Sequence, residues 1–174
     1  MTVFECFANG TKGRQVAKPE SVQGGARSFP RVFPVGRLDK ASEGSLLFTN
    51  DTAWAESITA PESRIKKTYH MQVDCLADGE LVRRLREGIR EGGDLLAAKQ
   101  VHVLRHGTKN SWMEVVLDEG KNRHIRRLLA AMDVNVVRLV RVAVGPLQLE
   151  SQAKGQWRPL TQSEVSGLAG SCLR

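Results

Sequence analysis

Long apolar runs are missing from this sequence. Its longest apolar stretches, such as Leu46–Phe48 and Val134–Val137, fall far short of the ~20 residues that a membrane span requires. The first residues also lack the charged-then-apolar layout of a secretory signal, so a cytoplasmic protein with no membrane partner is expected. Cysteine is scarce. Cys6, Cys75 and Cys172 are odd in number and far apart, which offers neither a disulfide framework nor paired zinc-ligand spacing. Histidine offers no metal site either: His102 and His106 would share a ligand face only on a helix, and Val101–Leu104 has the look of a strand. Together with His70 and His124 they are expected at the surface. No repeat or low-complexity tract is visible.

What is present is positive charge. The 174 residues carry a formal net charge of +7 with pI near 9.7, a surplus that favours a polyanionic partner over an acidic small molecule. The charge is unevenly placed. Lys121, Arg123, Arg126, Arg127, Arg138 and Arg141 face a single acid, Asp133, in one short segment. A charge run is most often only a solvated helix face. Five of these six are arginines, however, and arginine grips phosphate in a bidentate fork. One strongly positive face and a nucleic-acid partner are therefore expected.

With 41% hydrophobic residues the chain can build one sizeable core but not two, and a monomer is expected. Residues 1–30 read as an N-terminal segment apart: Asn9 to Pro30 is rich in Gly, Lys, Gln and Ser and is expected to be loop-like. The compact domain is expected over 31–174. Strands are predicted at Arg31–Val35 and Ser45–Asn50, with a turn at Gly36 between them. A helix at Thr52–Ile58 should stop ahead of Pro61. Lys67–Val73 alternates as a strand does, and Asp78 can cap a helix reaching about Arg90, with Leu81, Leu85 and Ile89 on its buried stripe and Gly92-Gly93 ending it. Strands at Gln100–Arg105 and Trp112–Asp118 make a hairpin. A helix at Asn122–Met132 and strands at Val136–Val144 and Pro146–Leu149 complete an α+β pattern with a mostly antiparallel sheet.

Three clusters carry chemistry. In Gly36-Arg37-Leu38-Asp39-Lys40-Ala41-Ser42-Glu43-Gly44, an Asp after a Gly turn is most often a turn residue bonded to nearby backbone. In Lys67-Thr68-Tyr69, the chain's one tyrosine is most simply a strand residue with its hydroxyl at the core edge. In Gly120-Lys121-Asn122-Arg123-His124-Ile125-Arg126-Arg127, basic residues crowd a helix N-terminus whose dipole disfavours them. A phosphate or carboxylate partner would explain that placement.

Taken in order and spacing across residues 32 to 160, these clusters resemble the ribosomal RNA pseudouridine synthase family of the small-subunit type. The resemblance extends to Thr49-Asn50-Asp51, Arg138-Leu139-Val140-Arg141-Val142 and Gly145-Pro146-Leu147. It implies a mixed, mostly antiparallel pseudouridine synthase core, isomerisation of uridine to pseudouridine in ribosomal RNA or a ribosome assembly intermediate, and no metal or organic cofactor. By the same resemblance Asp39 is the catalytic carboxylate, Tyr69 packs on the target base, Arg126 pairs with Asp39, and Arg37 reaches into the RNA beside the flipped base. Lys67, Lys121, Arg123, Arg127, Arg138 and Arg141 are the expected phosphate contacts. Ser45 and His124 stand where the family more often has Leu and Gln. The family's upstream RNA-binding domain, or at least its Lys-Pro-Gly strand, has no counterpart, so weaker substrate affinity is expected.

The reaction breaks a glycosidic bond and rejoins the base through carbon without net redox change, so it needs no cofactor. It needs a carboxylate at the nucleoside, acting either as nucleophile or as a base at the ribose, and a base lifted from its stack. The alternative is a non-catalytic RNA-binding or ribosome-associated module descended from such an enzyme.

Overall fold

Residues 31–170 are described by the structure, a computed structural model. The chain runs through β1 (Phe33–Val35), β2 (Glu43–Gly44), β3 (Leu47–Thr49), α1 (Thr52–Thr59), a 3-10 turn (Pro61–Ser63) and β4 (Lys67–Val73). It continues through α2 (Gly79–Glu87), β5 (Ile89–Glu91), β6 (Asp94–Leu96), β7 (Gln100–His106) and β8 (Ser111–Leu117). The last elements are α3 (His124–Ala130), β9 (Val136–Val144), β10 (Leu147–Gln148) and α4 (Gln162–Gly170). The segment 1–30, with Cys6, and Cys172 lie outside the described residues.

The main sheet has the order β10-β9-β4-β8-β7, with β2 added alongside β9. Every ladder in it is antiparallel except β2 with β9, where Glu43 opposes Val140 and Gly44 opposes Arg141. The α+β reading with a mostly antiparallel sheet thus holds. Alternation along β4 explains its place at the centre: Met71 and Val73 are fully buried and meet Leu81, Leu85, Leu128 and Leu129 in the larger of two apolar cores. A smaller core joins Val35, Leu47, Ile58, Ile65 and Leu168 beneath α1 and α4.

The Asp78 cap forms as expected, and α1 carries an aspartate cap that was not anticipated. Asp51 accepts from the Trp54 N–H at 3.0 Å and Asp78 from the Leu81 N–H at 2.8 Å, each relieving an orphan first-turn donor. Helix α1 ends at Thr59, ahead of Pro61. Helix α2 stops sooner than its apolar spacing implies. Gly88 has φ 77°, and a β-carbon there would overlap the carbonyl oxygen of Leu96, so the chain turns out of the helix and Ile89 enters β5 instead. Gly92 and Gly93, with φ 58° and 86°, form the tight turn between β5 and β6 rather than a helix stop. Helix α3 is shorter than expected at both ends because Arg123 and Asp133 take left-handed φ values of 47° and 57°.

Helix α4 was not anticipated, although its signal is present in Thr161-Gln162-Ser163-Glu164. The Thr161 N–H donates to the Glu164 carboxylate at 2.8 Å, and the Glu164 N–H donates to the Thr161 hydroxyl at 3.3 Å, a reciprocal capping box. Arg158 adds a forked ion pair at 2.7 Å and 2.9 Å. The Arg158 guanidinium first, and the Thr161 N–H second, hold the Glu164 carboxyl at about 2, below its ordinary 4.5. A depressed folded value means that the contribution is complete above pH ~4.5 and is lost as pH falls toward 2. Amide exchange in 162–170, corrected for intrinsic rates, should therefore accelerate on acidification through this window, and Glu164→Gln should flatten that response. An unchanged profile in the variant would remove the capping box as its cause.

Candidate active site

Asp39 sits in the loop between β1 and β2, where its carbonyl accepts the Ser42 N–H at 2.8 Å and closes a turn. The loop leaves the carboxylate half-exposed at an open cavity of about 300 Å³. Tyr69 on β4 and Arg126 on α3 line the same cavity. Three segments that are far apart in sequence thus meet at one place, between the larger core and the smaller one. Tyr69 is held by register: it opposes Val115 on β8 and Arg141 on β9. Its half-buried ring packs against the larger core, which leaves the cavity side for a ligand.

Arg126 does not pair with Asp39. Its guanidinium donates to the Ala41 carbonyl at 2.7 Å and to the Val136 carbonyl at 3.3 Å, and its Nε is buried without a partner. Among the described residues Asp39 makes no ion pair. The arginine therefore tethers the loop two residues beyond the aspartate, within the same cavity.

The six basic residues between 121 and 141 divide their work, and they do not form one free positive face. Lys121 pairs with Glu119 at 2.7 Å and donates to the Leu95 carbonyl at 2.8 Å. Arg127 pairs with Glu91 at 2.6 Å, so both side chains fasten the β5–β6 hairpin to the start of α3. Arg138 forks onto Glu43 at 3.0 Å to each oxygen, which lowers the Glu43 carboxyl and raises the guanidinium. It also lies 5.9 Å from the Trp112 ring. Neither Arg127 nor Arg138 lines the cavity, whereas Arg37, Lys67, Lys121, Arg123 and Arg141 do. Arg37 and Arg123 are exposed and make no ion pair among the described residues. The reason for the division is that Glu43, Glu91, Asp94 and Glu119 are folded back onto the arginine-rich segment.

The Lys67 ammonium makes no hydrogen bond or ion pair among the described residues. Burial, and then the neighbouring Arg141 cation, push its ammonium below the usual lysine range, opposed by Asp118. His124 was expected at the surface and is instead 5% exposed, because the left-handed Arg123 turns it inward. Neither of its ring nitrogens has a hydrogen-bond partner, although the Ala97 backbone is nearby. Burial, and then Lys121, hold its imidazole below the ordinary histidine range. No described group of His, Cys, Asp and Glu could hold a metal ion. Gly44 belongs to the first sequence cluster, but its steric role was not assigned there: a β-carbon at this position would overlap the Arg141 backbone.

Residues 13–131 match the model of a family described as RNA pseudouridylate synthase. The chain is 36% identical over 138 residues to an uncharacterized RNA pseudouridine synthase of Aquifex aeolicus, covering 79% of this chain and 55% of that one. It is 35% identical over 144 residues to ribosomal large subunit pseudouridine synthase E of Xanthomonas campestris, covering 74% of this chain and 77% of the relative. Ribosomal large subunit pseudouridine synthase B of Bacillus subtilis is 36% identical over 140 residues, with coverages of 79% and 60%. A crystal structure of a pseudouridylate synthase superposes with TM-score 0.69 at 31% identity, covering 79% of this chain and 59% of that one. The chain spans little more than half the length of the Aquifex relative and of that solved structure.

Proposed function

This chain belongs to the RNA pseudouridylate synthase family, and on that premise we propose that it isomerises a uridine of ribosomal RNA to pseudouridine. The observation that carries the proposal is the convergence of Asp39, Tyr69 and Arg126 on one cavity. The catalytic domain is 31–174, acting as a cytoplasmic monomer on ribosomal RNA or an assembly intermediate. Among the described residues no helix is long and apolar enough to cross a membrane.

A uridine reaches such a cavity only after leaving its stack, at a cost of a few kcal/mol. Arg37, an exposed residue of the cavity lining, reaches into the RNA beside the flipped base. Tyr69 stacks on the extruded base, which any nucleobase permits. Asp39 then meets the ribose, as nucleophile at the sugar carbon or as base toward a ribose proton, and either route frees the uracil to turn over. The uracil rejoins the sugar through its C5, and the proton then lost from C5 is matched by one gained at the freed N1, so the N1–C1′ bond broken is replaced by the C5–C1′ bond formed.

Two of the relatives are named large-subunit synthases, so large-subunit RNA is the first substrate to test. Small-subunit RNA is the second, since the motif resemblance leaves the subunit open. Mapping pseudouridine in both RNAs from cells with and without the gene tests the proposal. One site lost on deletion supports it, and identical maps would favour the non-catalytic RNA-binding module.

The electrostatic contribution should rest on Arg37, Lys67 and Arg123. Arg37→Ala or Arg123→Ala should each weaken RNA binding and reduce the slope of log affinity against log salt by roughly 0.7–0.9, one phosphate contact each. Arg138→Ala should change the slope less, since Glu43 already neutralises it. Equal slopes for all three variants would contradict this division of labour.

A further inference from the structure

Arg141 is a charged residue that the resemblance places on phosphate, yet it is 6% exposed. Burying a guanidinium is costly unless its N–H groups find acceptors. Here Nε donates to the Ser45 carbonyl at 2.8 Å and Nη1 to the Arg37 carbonyl at 3.1 Å. These carbonyls lie on either side of Asp39, two residues before it and six after. Backbone contacts reinforce the clasp: the Ser45 N–H donates to the Arg141 carbonyl at 2.9 Å, and β2 pairs with β9 at Gly44 and Arg141. Gly44 makes that approach possible. At φ 109° it lies so close that a β-carbon would overlap the Arg141 backbone carbonyl.

We propose that Arg141 is a positioning residue of the reaction: from β9, its forked guanidinium clasps both ends of the loop that carries Asp39 and thereby sets where the carboxylate meets the substrate. This deepens the proposed function and rests on it. Two of the three guanidinium nitrogens are engaged by the loop backbone, which leaves only Nη2 for a phosphate at the cavity that Arg141 lines. A fork that binds two carbonyls at a fixed separation cannot be replaced by a point charge. The clasp also links Arg37 to Asp39, because the backbone carbonyl of the residue proposed to enter the RNA is one of its two acceptors.

The test compares wild type, Arg141→Lys and Arg141→Met in a single-turnover assay, recording the maximal rate, the half-saturating RNA concentration and amide exchange across 36–45. Both variants should lose about 10–100-fold in maximal rate, as displacement of a catalytic group by about 1 Å does, with half-saturation within about threefold and faster exchange at Ser42 and Ser45. Lysine should rescue no better than methionine. Should Met prove unstable, Lys alone decides, since it keeps the charge and most of the volume. Rescue by Lys together with a raised half-saturation in Met would assign Arg141 to phosphate and overturn the proposal, as would unchanged exchange across the loop. An inert wild type would defeat the functional reading, while the exchange data would still decide whether Arg141 holds the loop.

Discussion

Asp39→Asn should abolish pseudouridine formation, with a fall in single-turnover rate of at least about 10³-fold, while RNA affinity stays within a few-fold. The substitution keeps the size of the side chain and removes its charge and nucleophilicity, and either chemical route requires the carboxylate. Folding should be unaffected, because the loop is held by backbone atoms. The Asp39 carbonyl accepts from Ser42, and the clasps from Arg126 and Arg141 end on the carbonyls of Ala41, Ser45 and Arg37. Affinity should survive because the proposed phosphate contacts rest on other residues of the cavity lining, Arg37 and Arg123. The measurement is product formation at saturating RNA beside a melting curve. Substantial turnover by a well-folded Asp39→Asn protein would end the proposed mechanism.

Arg126→Ala should be the next most damaging change, lowering the single-turnover rate by about 10²-fold, because the arginine holds the Ala41 carbonyl two residues from Asp39 and a misplacement of about 1 Å at a catalytic group costs that much. Its stability cost should be moderate. A fully buried ion pair with Asp39 would imply about 3–5 kcal/mol on losing one partner, but that pair is not formed here. What is lost is a charged donor on two backbone carbonyls in a half-buried setting, on the order of 2 kcal/mol. Arg126→Lys should recover stability better than rate, because one ammonium cannot reach both Ala41 and Val136. A near-wild-type rate in a folded Arg126→Ala protein would exclude this arginine from the chemistry.

The strands most legible in the sequence were the long ones of the main sheet. β4 and β9 begin and end where their alternation predicts, because each is flanked by ladders that reward that pattern along its length. Helix α2 overran in the reading because Ile89 continues the helical spacing, whereas Gly88 meets the Leu96 carbonyl, a contact from a residue still to come. Helix α4 could have been read from its Thr-x-x-Glu box, since a cap is local. The candidate site was legible as residue types in order: Asp39, Tyr69 and Arg126 do share a cavity. The arginines were not legible. Arg138 is drawn to Glu43, 95 positions away, and Arg141 to carbonyls 96 and 104 positions away.

The sequence by itself determined the sign and surplus of charge, the periodicity of the central strands, the local caps, and the order of Asp39, Tyr69 and Arg126 along the chain, because each of these depends on residue type and short spacing. Tertiary structure decided which cations are paired with carboxylates, that Arg126 tethers Ala41 instead of pairing with Asp39, and that Arg141 turns inward to the loop. The physical reason is that a side chain's charge belongs to the residue, whereas its solvation and hydrogen-bond partners belong to whatever distant segment the fold brings against it.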